Sequence, residues 1–239
     1  MHTLPNAPEE TTGRPGASMQ SIAAVVMAGG AGSRMGGVNK PLLRRSGITL
    51  LGGILDAIND TFGTALWHTV VVGPQSLDQE LSARSNTTRV QESPVLAGPA
   101  AAAACATESL ANRAQEAGTQ PDVVALLAAD FVDPSQALTR MRHEIERHPG
   151  RLVVPRDSQG YPQWLMSAVP YAQLLDRVAE ERAASAAEHS GKDPFVGQSL
   201  RWILGADTAV FVDLPASASD ATQDIDSPED ARHFGIDLP

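Results

Sequence analysis

Hydrophobic positions along the chain fall into two kinds of run. Continuous apolar stretches occupy residues 22–27 (IAAVVM), 67–73 (WHTVVVG) and 122–129 (DVVALLAA), with shorter ones at 87–91, 152–155, 163–169 and 209–214. Such runs predict strands buried on both faces, as in a parallel sheet. Between them, apolar residues recur at helical spacing. Leu51, Ile54, Leu55 and Ile58 line one face of residues 49–62, which end before Gly63. Leu138, Met141 and Ile145 do the same after Asp133 and Pro134, an N-cap and first-turn pair. Residues 98–116 are dense in alanine and predict a helix lying close against the sheet, and residues 174–189 predict another, closed by Gly191. Ser227 and Asp230 have the spacing of a capping box that opens a last helix. Strands alternating with helices predict an α/β fold: a doubly wound, mostly parallel, Rossmann-like sheet with helices on both faces. Residues 1–20 carry Pro, Gly, Thr and Glu but almost no large apolar side chain, and are expected to be a disordered extension. Met19, just before the first strand, is a second candidate start. Residues 21–239 suit a single domain.

The first apolar run continues into a glycine-rich turn, so that residues 22–43 spell IAAVVMAGGAGSRMGGVNKPLL. Glycines directly after a buried strand let the backbone bend tightly and bring N–H groups against an anion. Arg34 and Lys40 supply the positive charge that a polyphosphate needs. Two commoner glycine motifs fail. A dinucleotide fingerprint needs a third glycine where Met35 stands, and a phosphate-binding Walker loop needs lysine directly after Gly37, where Val38 stands. A second feature falls on the same sheet edge: Asp130 ends the apolar run 122–129. Ligands of open α/β sheets sit beyond the carboxyl ends of the strands. An acid ending an apolar strand suits Mg²⁺, which takes carboxylate and phosphate oxygens together.

Other segments carry two readings each. Asp224 and Asp226 in QDIDSPED could complete a metal site, Asp226 foremost, or serve only as helix-start chemistry. Gly98 and Pro99, opening the alanine helix, could bring backbone N–H groups to a flat base, or simply permit tight packing. Gln163 and Trp164 could recognise a heteroaromatic second substrate, or belong to an ordinary hairpin. Ser199 and Arg201 could touch phosphate, or lie on a solvated helix face.

Composition narrows the classes further. A net charge of -10 and only 4% aromatic residues leave no case for nucleic acid or an anionic membrane. Cys105 is the only cysteine, which excludes an internal disulfide and a Cys-rich zinc site. No apolar run approaches the roughly 18 residues of a membrane span, and no signal-type segment opens the chain, so a cytoplasmic location is expected. The histidines show no metal-ligand spacing, and Ser33 has no partnered base that would support acyl transfer.

The loop A-G-G-x-G-S-R-M-G-G-x-x-K-P resembles that of nucleotidyltransferases, and most nearly the molybdenum cofactor guanylyltransferases, in an actinobacterial-looking form. The resemblance extends over about residues 22–236. It implies that the backbone of Met27, Ala28, Gly29 and Gly30, with Gly32, cradles GTP, and that Arg34 and Lys40 meet the triphosphate. Glu92 falls where the family has an aspartate near ribose or base, Asp130 matches the Mg²⁺ ligand, and DIDSPED resembles the closing D-x-D-T-P-E-D. Gly98, Pro99, Gln163, Trp164, Ser199 and Arg201 would contact the substrates. The chain departs from the pattern at GPAAA, at Asn39 before the lysine, and at DFVDP where the family has D-x-P. The implied reaction is transfer of GMP from GTP to molybdopterin, the molybdenum cofactor, with pyrophosphate released. A cofactor-delivering or molybdoenzyme partner is conceivable. The alternatives are transfer of CMP, transfer to a sugar phosphate or other small phosphate, and a non-catalytic nucleotide-binding module.

Overall fold

The computed structural model describes residues 20–30, 37–188, 191–214, 225 and 227–238. In chain order the elements are β1 (Ile22–Met27), β2 (Arg44–Arg45), β3 (Ile48–Thr49), α1 (Leu50–Phe62), β4 (Leu66–Val72), α2 (Asp78–Leu81), β5 (Thr87–Val90), α3 (Pro99–Ala117) and β6 (Val123–Ala128). They continue as α4 (Ser135–Arg147), β7 (Val153–Arg156), β8 (Met166–Pro170), α5 (Tyr171–Ala187), α6 (Leu200–Leu204), β9 (Val210–Asp213), α7 (Pro228–His233) and β10 (Ile236–Asp237).

Seven strands form one sheet in the order β5-β4-β1-β6-β8-β7-β9. Neighbours are parallel except β8, which runs antiparallel to both β6 and β7. Every residue of β6 is buried, and only Met27 of β1 is partly exposed, as continuous apolar runs require when helices cover both faces. One face packs against α1 and α4 through Leu51, Ile54, Ile58, Leu138 and Met141. The other packs against α3, α5 and α6, where six alanines of α3 allow a close approach to the sheet. The chain is therefore a doubly wound, mostly parallel α/β fold, as expected. A smaller antiparallel sheet, β10-β2-β3, which the sequence pattern did not reveal, gathers Leu43, Leu50, Ala231, Ile225 and Ile236 beneath the segment after the glycine loop.

Three boundaries differ from expectation for identifiable reasons. The strand expected over 163–169 begins only at Met166, because the Met166 N–H turns back to the Gln163 carbonyl at 3.0 Å. The helix expected from 174 starts directly after Pro170, with the Tyr171 ring buried beneath it. Asp133 is not the cap of α4: that position is Pro134, and the Asp133 carboxylate only accepts a long bond from Ser135 N–H at 3.4 Å. The capping box of Ser227 and Asp230 is present at α7, and Thr49 caps α1 by accepting from Gly52 N–H at 2.8 Å.

His68 of β4 is buried, with its ring nitrogens 2.9 Å from Asn86 Oδ1 and 2.9 Å from Thr88 Oγ1 across to the edge strand. Burial holds its pKa below the ordinary 6.5. The unfolded chain therefore takes up this proton first as pH falls, so His68 contributes stability that is complete above 6.5 and lost progressively below it. Thermal midpoints at pH 7.5 and 5.5 should differ less in His68→Gln than in the wild type. An unchanged difference would remove His68 from the acid sensitivity of the fold.

Candidate active site

Strand order fixes where a ligand can enter. From β1 the chain winds outward to β4 and β5, then α3 carries it back to β6 on the other side of β1. The carboxyl ends of β1 and β6 thus flank the point where winding reverses, the usual ligand crevice of such sheets. The glycine loop leaves one side and Asp130 the other. The structure brings Lys40 into the same crevice: its Nζ lies 3.8 Å from Asp130 Oδ2, with the two side chains 16% and 23% exposed. Lys40 opens a short 3-10 turn held by the buried Pro41. Its neighbour Asn39 donates to Ser76 Oγ at 3.0 Å, which ties the end of the glycine loop to the segment after β4.

The loop begins in a crowded place. Ala28 N–H donates to the Val72 carbonyl at 2.7 Å, and the Met27 carbonyl accepts from Ala129 N–H at 3.0 Å. Met27 and Ala28 therefore frame the loop. Among the described residues, Gly29 and Gly30 are the loop positions exposed at the crevice. Any side chain at Gly29 would place its Cβ 3.6 Å from Glu92 Oε1 and 3.9 Å from the Val72 carbonyl.

Glu92 lies just past β5 and reaches back behind Gly29. Only 6% of the residue is exposed. Its Oε1 accepts from Leu96 N–H at 3.0 Å, while Oε2 is buried without a hydrogen-bond partner among the described residues. A buried carboxylate oxygen without a donor is costly, and it calls for a donor from a water, an ion or a ligand. The Leu96 backbone sits in the left-handed region, φ 62°, an unusual setting for a branched residue.

The N-terminus of α3 is partly occupied by the chain itself. Gly98 has φ 103°, which glycine alone accepts easily, and Pro99 has no N–H. Ala100 N–H is already bound to the Gln198 carbonyl at 3.3 Å. The helix start is therefore a small-residue surface more than a set of free donors. Segment 193–198 is locked against it by Gly197 N–H on the Ala97 carbonyl at 2.8 Å. Arg182 secures that segment, bonding Glu108 at 3.0 Å and Asp193 at 2.7 Å over the Phe195 ring. Ser199 follows as the cap of α6, its Oγ accepting from Trp202 N–H at 3.2 Å, and Arg201 is exposed on that helix. The solvated-helix reading of this pair fits the geometry better than a phosphate contact.

Gln163 and Trp164 reach the ligand edge because β8 runs backwards, so its N-terminal side meets the carboxyl ends of β6 and β7. Ala128 N–H bonds the Leu165 carbonyl at 3.0 Å, and the Gln163 side-chain amide donates to Asp157 Oδ2 at 2.9 Å. Trp164 packs edge-on against Phe211, ring centroids 6.2 Å apart. Arg156, which ends β7, was passed over at the sequence level. Its signal was the one used for Asp130, a charge terminating an apolar run. Gly32, Arg34, Asp224 and Asp226 lie outside the described residues.

Residues 24–193 match the MobA-like NTP transferase domain, which covers most of the chain. The chain belongs to that family, and the fold and family together make it a nucleotidyltransferase. Solved structures share the fold. They include a nucleotidyl transferase from Methanothermobacter (20% identity, TM-score 0.58, covering 90% of this chain and 96% of that one). Another is 4-diphosphocytidyl-2C-methyl-D-erythritol synthase from Anaerococcus prevotii (14% identity, TM-score 0.57, covering 90% and 95%). A Mycobacterium tuberculosis protein solved in complex with manganese is also similar (16% identity, TM-score 0.50, covering 90% and 98%). No curated protein matches the chain significantly. No helix among the described residues is long and apolar enough to cross a membrane.

The crowding at the loop start is testable. A Cβ at Gly73 would sit 2.8 Å from the Leu77 Cδ1 and 3.2 Å from both the carbonyl carbon and Cβ of Ala28. The leucine end can swing away, but Ala28 is held by its ladder bond. Gly73→Ala should therefore cost about 1–3 kcal/mol in urea unfolding. An unchanged midpoint would mean that Ala28 can shift freely.

Proposed function

We propose that the protein transfers GMP from GTP to the terminal phosphate of molybdopterin, forming the guanine dinucleotide cofactor and pyrophosphate, with Mg²⁺ as the divalent ion. The observation that carries the choice of base is Glu92, a buried carboxylate with one oxygen lacking a donor beside Gly29. An ionised carboxylate only accepts hydrogen bonds. Guanine offers adjacent N–H donors on one edge, whereas the corresponding edge of cytosine has one donor followed by two acceptors. A site whose buried acceptor is satisfied only by the right base rejects the wrong one.

The acceptor phosphate is already a nucleophile, so no general base is required. Its oxygen attacks the α-phosphorus in line, and the bond to the leaving pyrophosphate breaks. The protein's part is positioning and charge neutralisation. Lys40, with Arg34 by resemblance, would hold the triphosphate and stabilise charge developing on the leaving group. Gly29 and Gly30 let the nucleotide approach the backbone, and Glu92 fixes the base. Asp130 suits Mg²⁺ because it is a hard oxygen donor opposite the phosphate-binding loop, and that ion takes one or two carboxylates together with substrate phosphates. Asp226 would be the second carboxylate. When bound, the ion supplies positive charge to the triphosphate.

Pyrophosphate release should be measured with Mg²⁺ and each of GTP, CTP, ATP and UTP, with and without molybdenum cofactor. Release with GTP plus cofactor is expected. Release with CTP alone would assign cytidylyl transfer instead, the chemistry in the name of the Anaerococcus relative. GTP binding without release under any pairing would point to a nucleotide-binding module, or to another small phosphate as acceptor. Lys40→Ala and Asp130→Ala should each lower turnover by about 10²-fold or more, and near-normal turnover in either would refute its role. Glu92→Gln should erode the preference for GTP over CTP by about 10-fold or more, measured as the ratio of kcat/KM values.

A further inference from the structure

Arg156 stands apart from the chain's other described arginines near the ligand edge. It ends β7, and its guanidinium lies 4.6 Å over the centre of the Phe211 ring on β9. Its Nε is buried without a hydrogen-bond partner among the described residues. Asp213 lies opposite it in the β7–β9 register, yet no ion pair among the described residues includes Arg156. Elsewhere such groups find carboxylates readily: Arg84 meets Asp56, Arg89 meets Asp78, and Arg182 meets Asp193. In a chain of net charge -10, a half-buried arginine that takes none is held for something else.

Its surroundings point to what that is. Trp164 meets the same Phe211 ring edge-on, so Arg156, Phe211 and Trp164 form one shelf. Gln163 joins it, since its backbone N–H is bonded to the Pro155 carbonyl at 2.8 Å. β7 and β9, which carry the shelf, are two and three strands away from β6, or about 10–14 Å at the usual strand spacing. That separation matches a small acceptor with its reacting phosphate near Asp130 and its other end on the shelf. A guanidinium has donors arranged in a plane as a fork, matched to two acceptor atoms side by side.

We infer that Arg156, seated over Phe211 beside Trp164, binds the far end of the acceptor substrate through a planar group with two adjacent acceptor atoms, either a carboxylate or a ring carbonyl beside an unprotonated ring nitrogen of a heterocycle. The inference rests on the nucleotidyl-transfer reading in treating this end of the crevice as the acceptor's. Binding of pterin, which has the carbonyl and ring-nitrogen edge alone, and of benzoate, which has the carboxylate alone, tests it by calorimetry on the wild type, Arg156→Lys and Arg156→Gln. At least one probe should bind the wild type, and both variants should weaken it 10-fold or more while GTP affinity is unchanged. Loss confined to pterin would identify the heterocycle edge, and loss confined to benzoate the carboxylate. Binding of neither probe to the wild type, or wild-type affinity in Arg156→Gln, would overturn the assignment. Wild-type affinity in Arg156→Lys would refute the paired-donor contact. Because probe binding needs no turnover, failure of the proposed reaction would appear separately, as absent pyrophosphate release by the wild type. If that reaction holds, Arg156→Gln should also raise KM for molybdenum cofactor about 10-fold with KM for GTP unaltered.

Discussion

The carboxyl end of β1 can be placed in only one way, and the rest of the site is arranged around it. The strand is hydrogen-bonded on both sides, to β4 and β6, with helices on both faces. Its last ladder bonds run from Ala28 to Val72 and from Ala129 to Met27. Ala28 itself is pressed against Gly73, where no side chain fits without displacement. The chain must therefore leave the sheet at Gly29, with Glu92 close behind it. Small residues at positions 28 and 73 are thus a packing requirement first. Their value for a nucleotide follows, since the same absence of side chains exposes backbone at the sheet edge.

Electrostatics then divide the crevice. The chain carries an excess of acids, so an anionic ligand must be drawn by local charge against an unfavourable background. Lys40 faces Asp130 at 3.8 Å, which balances the centre of the crevice and allows both groups to stay largely covered. Glu92 has no such cation on its free oxygen, and its other oxygen serves the Leu96 backbone. The two acids are therefore not equivalent. One belongs to a charge pair with Lys40, and the other keeps a buried oxygen that no group among the described residues satisfies. Cys105, on α3 nearby, is no third reactive group: burial first, then the neighbouring acids Glu108 and Glu92, push its thiol up to about 11.

Strong periodic signals made much of this legible in the sequence. The apolar runs ending at Met27 and Asp130 specified the central strands and the edge they share, because burial on both faces leaves few other arrangements. The residues brought together there, Lys40 and Asp130, follow from that edge. What stayed hidden depended on contacts distant in the chain. Strands of two residues such as Arg44–Arg45 carry no periodicity, and their pairing with Ile236–Asp237 arises from tertiary packing alone. The Ala100 N–H at the start of α3 could not be known to be occupied, since its partner, Gln198, lies about a hundred residues away. The unsatisfied oxygen of Glu92 is likewise a property of its surroundings, invisible in the segment QESPVLAG.

The single reversed strand explains why the two halves of the crevice differ. In a wholly parallel sheet, every strand delivers its last residue to the ligand edge and its first to the opposite edge. On the β5-β4-β1 side that rule holds, and the edge is built from strand ends and glycine turns. β8 breaks it. Running antiparallel between β6 and β7, it presents the residues that precede it, Gln163, Trp164 and Leu165, at the same edge where β7 ends in Arg156. A tight turn at residues 157–161 joins the two, secured by Asp157 accepting from the N–H groups of Gln159 and Tyr161 at 2.9 Å each. Large aromatic and charged side chains can therefore converge there, as strand ends alone would not allow. On the proposed reading, the parallel half, with its bare backbone, would take the nucleotide, and the reversed half, with its shaped side chains, would take the second substrate. Substitutions around β7 and β8 would then bear on the acceptor alone, because the glycine loop is held by ladder bonds to β4 and β6.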